Sequence, residues 1–197
     1  MTKIFVTIIL FIASFPAVAG PFGLSKGMTL EEAKKYGDFV SGNSPFVYTA
    51  KTLAGGHPDF ESYSIILTPQ QGLCKIQASG KDVNTSAFGD ELKAKHIEFV
   101  KALSNKYGSP GNNYDFLRLG SIWKDPQDWM MALLKKERTL ASYWSSPERT
   151  NLPDSLSSIE LVTAALSGSK GYLRLSYEFN NLDACLLVLN AKKDANL

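Results

Sequence analysis

A chain of 197 residues has room for one domain with a sizeable core, and 44% hydrophobic residues at a formal net charge of +2 describe a folded globular protein. The near balance of 21 Lys+Arg against 19 Asp+Glu excludes a polybasic nucleic-acid binder and a self-repelling disordered chain.

Residues 1–19, MTKIFVTIILFIASFPAVA, have the layout of a cleaved signal peptide. Lys3 supplies the n-region, an apolar stretch runs from Ile4 to Phe15, Pro16 breaks it, and the small Ala17 and Ala19 precede Gly20. That stretch is too short to span a bilayer comfortably, and the later run from Cys185 to Leu189 is far shorter, so no stable membrane span is expected. No Cys follows the cleavage site, which disfavours lipid modification. The leader is bacterial in style and predicts a periplasmic or secreted product beginning at Gly20.

In the mature chain, Gly27 to Gly37 predicts a short helix. Thr29 and Glu32 have capping-box spacing, Met28 can staple onto Ala33, Lys34 and Lys35 suit the last turn, and Gly37 can close it in the left-handed conformation. Phe46 to Leu53 predicts a strand between Gly/Ser/Asn-rich turns, and Tyr63–Thr68 with Leu73–Ser79 predicts a hairpin across Pro69–Gly72. From Asp90 to Tyr107 a stripe of Leu92, Ile97, Phe99, Val100, Leu103 and Tyr107 predicts a long helix stopped by Gly108 and Pro110. His96 lies beside the stripe, at its boundary. Asp125-Pro126 opens another helix, whose apolar face carries Trp129, Leu133 and Leu134. Strands are then expected at Thr139–Trp144, Ser158–Ala165 and Gly171–Phe179. The tail from Leu182 to Leu197 is compatible with helix or strand, and Asn181 favours a helix. No low-complexity linker divides the chain. The expected architecture is therefore a single α+β domain over residues 20–197, an antiparallel sheet covered by helices. KKYG at 34–37 and NKYG at 105–108 both close helices, which common helix-stop chemistry explains as well as a repeat does.

The two histidines, His57 and His96, bound the catalytic options. His57-Pro58-Asp59 follows Gly55-Gly56 and gives the one loop around which an exported hydrolase site could be built. A zinc site from the histidines and Asp59 lacks HxxxH or CxxC spacing, so no metal is expected. The carboxylate pairs Glu31-Glu32 and Asp125/Asp128 stand at helix starts, where the macrodipole accounts for them. GxSxG, phosphate-loop and dinucleotide motifs are lacking, so no cofactor is expected and no catalytic residue is assigned. Trp123, Trp129, Trp144, Tyr143 and Phe116 crowd one stretch and are expected mostly in the core. Cys74 and Cys185 lie in apolar surroundings. An even count in an oxidising compartment favours their pairing, which also removes Cys74 as a nucleophile. The expected function is binding of another envelope or secreted protein, of inhibitor, immunity or accessory type, without catalysis. The alternatives are the His57/Asp59 hydrolase and self-association through a sheet edge.

The segment from Phe22 to Gly37, with Gly27-Met28-Thr29-Leu30-Glu31-Glu32-Ala33, resembles the helix opening of β-lactamase inhibitory proteins and of the small lipoprotein of the outer-membrane β-barrel assembly machine. Ala33 stands where Val is usual, and the lipidation Cys is missing. The resemblance implies helices against an antiparallel sheet and a protein-binding role. Together with the leader and Tyr177-Glu178-Phe179-Asn180, the chain is also similar to exported bacterial proteins, which implies location rather than activity.

Overall fold

Strands, most of them with period-two alternation, make the largest regular part of the described structure. The computed structural model describes residues 20–145 and 152–194; the predicted leader and the last three residues lie outside the described residues. Nine described strands form one antiparallel sheet: β1 Val40–Ser41, β2 Val47–Ala50, β3 Phe60–Thr68, β4 Gly72–Gly80, β5 Val83–Asn84, β6 Asn112–Leu117, β7 Arg138–Ser145, β8 Leu156–Ser167 and β9 Lys170–Phe179. The helices are α1 Leu30–Ala33, α2 Asp90–Tyr107, α3 Trp129–Leu134 and α4 Leu182–Asp194. The strand order is β1-β2-β3-β4-β9-β8-β7-β6, with β5 also paired to β9. The fold class is α+β.

Register turns alternation into two unlike faces. One row of directly opposed residues runs Ile65, Ile76, Tyr177, Ile159, Trp144 across five strands, and every member is buried. One residue along, the opposite face shows Ser64, Gln77, Ser176, Glu160, Tyr143, Asn112. Of these, only Ser176 is buried. α2 contacts β8 and β9, α3 contacts β7 and β8, and α4 contacts β3 and β4.

The strand order also exposes an internal symmetry. A helix followed by an antiparallel meander occurs twice, α1 with β1–β4 and α2 with β6–β9, and the halves join through their last strands, β4 against β9. Of the two KYG segments, 106–108 closes α2, whereas 35–37 begins one residue beyond the last turn of α1, so they correspond only loosely.

The hairpin and the long helix are present as expected, and the tail is helical: the Asn181 carbonyl accepts from the Cys185 N–H at 3.2 Å. Other expectations are corrected. The capping box forms in full, but α1 stops at Ala33, so Lys34 and Lys35 fall beyond it. Gly37 is not left-handed; it is required because a Cβ there would meet Leu53 and the Thr52 carbonyl. β2 ends at Ala50 and starts at Val47, because Phe46 has φ 62° and cannot extend a strand. Pro126–Asp128 form a 3-10 turn, after which α3 begins, and Asp125 makes no side-chain cap. Ile97 points to solvent, whereas His96 is buried.

Cys74 and Cys185 are joined as a disulfide, with Cα atoms 6.5 Å apart. Three segments meet there. Gly27 N–H donates to the Leu73 carbonyl and Leu73 N–H to that of Met28, both at 2.9 Å. The Asn181 amide donates to the carbonyls of Gln71 and Leu73 at 3.0 and 3.1 Å. Gly72 (φ 63°) lies against Gly27 so closely that a Cβ would clash with its backbone, so only glycine fits the crossing.

Candidate functional site

The three residues most suggestive of chemistry lie in two separate places. His57 and Asp59 occupy the exposed turn between β2 and β3, whereas His96 is in the interior on α2.

The His57 turn is ordered by its neighbours. The His57 N–H donates to the Tyr63 hydroxyl at 3.1 Å, and the Asp59 N–H donates to His57 Nδ1 at 3.3 Å. The imidazole meets Phe99 and Phe60 edge-on, with centroids 5.3 and 6.0 Å away. Asp59 also lies 3.8 Å from His57 and receives a 3.0 Å bond from Lys95 Nζ. Among the described residues, no hydroxyl or thiol side chain suited to be a nucleophile bonds the His57 ring. Asp59, the carboxylate beside the ring, is already paired with Lys95.

His96 is 4% exposed and belongs to a directional chain of hydrogen bonds. Ser142 Oγ donates to Asn113 Oδ1 at 2.6 Å, so its lone pairs are left to accept from His96 Nε2–H at 3.1 Å. Nδ1 then accepts from the Thr163 hydroxyl at 2.9 Å. Burial lowers its pKa from the ordinary 6.5 to about 4, against the pull of Asp115. The residue is a neutral connector between α2, β8, β7 and β6. Ser142, at 2% exposed, is out of reach of a substrate.

A third place was not singled out in the sequence. β6 is the last strand of the sheet, and its burial pattern is exposed from Asn112 to Phe116. Arg118 N–H donates to the Glu137 carbonyl, which fixes the phase of the ladder: Asn112, Tyr114 and Phe116 bond inward to β7, and the backbone groups of Asn113, Asp115 and Leu117 face outward. Tyr114 and Phe116 stand half-exposed on one face, and in the following turn Leu119 is 100% and Ile122 77% exposed. The strand itself is held firmly, by Arg138 on Asp115 at 2.6 Å and by Asn113 in the His96 chain. The crowded aromatics are not mostly core: Trp129 and Trp144 are buried, but Trp123 and Tyr143 are half-buried and Phe116 is exposed.

Among the described residues no group of three or more His, Cys, Asp or Glu side chains could hold a metal ion, and no helix is long and apolar enough to cross a membrane. Neither protein-family models, nor curated proteins, nor solved structures give a match to this chain.

Proposed function

We propose that the mature chain is an exported, non-catalytic binding module that docks a partner protein of the envelope or extracellular space along β6 and the turn that follows it. The observation that carries this reading is the concentration of exposed Tyr114, Phe116, Leu119 and Ile122 on and just after a strand whose outer edge pairs with no other strand among the described residues. Single exposed apolar residues are ordinary, but contiguous groups beside a free edge are what soluble proteins normally blunt with charge or Pro. An extended segment of a partner can add to the outward backbone groups of Asn113, Asp115 and Leu117, while Leu119 and Ile122 supply apolar area beyond the strand. On this reading the helices serve as the cover of the apolar sheet face, and the rigid sheet presents its edge. The disulfide suits an oxidising compartment, and the resemblance of the GMTLEEA segment to protein-binding exported domains points the same way.

The test is photo-crosslinking in envelope extract from a residue placed at Leu119. A heterologous adduct that is lost when Ile122→Asp is added supports the assignment. Adducts of twice the chain mass alone indicate self-association through the edge, and adducts no stronger than those from a probe at Lys35 on the opposite half overturn the docking surface.

A further inference from the structure

Under the His57 turn lies a cavity of about 300 Å³, formed where the entry segment, the 55–58 loop, α2 and β9 meet. Its walls are mostly apolar and aromatic: Phe22, Phe60, Phe99, Leu103 and Leu175, with Tyr107 and Tyr177 beside them. The space is held open by rigid contacts. Phe22, in the left-handed conformation at φ 58°, is packed edge-on against Phe60, Tyr63 and Tyr177 at 5.8, 5.1 and 5.7 Å. Gly55 abuts the Phe22 carbonyl and Gly56 the Tyr63 hydroxyl, each too closely to admit a Cβ, so the loop is seated directly on the aromatic group. The polar groups are one-sided. Among the described residues no carboxylate lines the cavity, and the basic side chains that line it are Lys106 and His57. Lys106 Nζ lies 5.0 Å from the ring centre of Tyr107, which places an ammonium at the rim of an apolar chamber. The nearby Asp59 is engaged by Lys95 and is not among the lining residues.

We propose that this cavity is a binding site for a small amphipathic anion, an acyl chain of about eight carbons or a single aromatic ring carrying one carboxylate, with its tail among Phe22, Phe60 and Phe99 and its head at Lys106. The volume is at the lower end of those of small-molecule pockets, which limits the ligand to this size. The absence of acidic lining groups favours an anion over a cation, because a buried or half-buried carboxylate needs a cationic partner and an ammonium would meet Lys106. The site shares no lining residue with β6 or the turn that follows it, and stands independently of the docking surface.

The experiment compares octanoate, octan-1-ol and octylamine, by calorimetric titration and by amide chemical shifts, on the disulfide-bonded mature chain. Saturable one-to-one binding of octanoate, with shifts at Phe22, Phe99 and Tyr177, is expected. Lys106→Ala should weaken octanoate at least tenfold and leave octanol unchanged. Ala102→Trp, at an exposed position on the rim, should block both without lowering the melting temperature. Octylamine binding as tightly as octanoate, Lys106→Ala leaving octanoate affinity unchanged, or no saturable octanoate binding in the millimolar range each overturns the proposal.

Discussion

His96 shows how a residue with the chemistry of a catalyst can be committed to structure. All of its hydrogen-bonding capacity is consumed by Thr163 and Ser142, and burial keeps it neutral. Its folded pKa is depressed, so between the unfolded value near 6.5 and the folded value of about 4 the unfolded chain binds the extra proton. Stability from this residue is therefore complete above pH 6.5 and is lost as pH falls toward 4, by about 3 kcal/mol in all. His96→Phe should be destabilising at pH 7.5, because the buried Thr163 hydroxyl loses its His96 partner and Ser142 keeps only its bond to Asn113. That deficit should shrink at pH 4.5, where the wild type has surrendered its advantage. Urea unfolding of both proteins at the two pH values checks this, and an equal gap at both would mean that His96 is not held neutral. Glu178 adds to acid sensitivity in both proteins alike: burial raises its pKa, but the bonds from Lys75 and Ser158 prevail and hold it low. His57 stands in an exposed loop, yet it contacts two phenylalanine rings and accepts the Asp59 N–H. His57→Ala should accordingly cost about 1 kcal/mol of stability. An unchanged midpoint in thermal unfolding would restore it to a free loop.

Among the elements, α2 was legible over its full length because its spacing, its polar surface and its stop signal agree. What begins it was not. Gly89 caps it at φ 74°, and the Trp129 ring of α3 lies so close that a Cβ on Gly89 would overlap it. Gly89→Ala combines a left-handed alanine with displacement of a core tryptophan, and should destabilise the fold by at least about 2 kcal/mol. Chemical denaturation measures the loss, and a cost below 0.5 kcal/mol, on the order of a neutral surface change, would show that the Gly89–Trp129 contact is not firm. β6 went unseen because a strand is recognised in sequence by one buried and one wet face, and NNYDFL has neither face buried. β1 and β5, at two residues each, are too short to carry a period.

For the molecule as a whole, the Cys74–Cys185 bridge closes a separation of 111 residues and ties α4 to the edge of the hairpin where the Gly27–Met28 segment and Asn181 also dock. In the chain-entropy picture a loop of that length contributes about 4–5 kcal/mol. Cys185→Ser should lower the denaturation midpoint by a corresponding amount and release a single labelling-competent thiol at Cys74. Full labelling of both thiols in unreduced, denatured wild type would show that the tail is held by packing alone.

The sequence by itself determined whatever is written in local chemistry: the α+β class, the capping box at Thr29 and Glu32, the hairpin, the long helix, and the three strands that follow residue 138. Each of these follows from the chemistry of neighbouring residues, so a window of ten or twenty residues contains its cause. The tertiary structure alone decided which distant segments became neighbours. It joined two helix–meander halves through β4 and β9, carried His96 from a helix boundary into the core, and left the outer edge of β6 with no strand beside it among the described residues. It also assembled an open-mouthed cavity beneath His57 from segments as far apart as Phe22 and Tyr177. These features depend on sheet order and register, which arise from long-range pairing between residues that carry no mark of their partners.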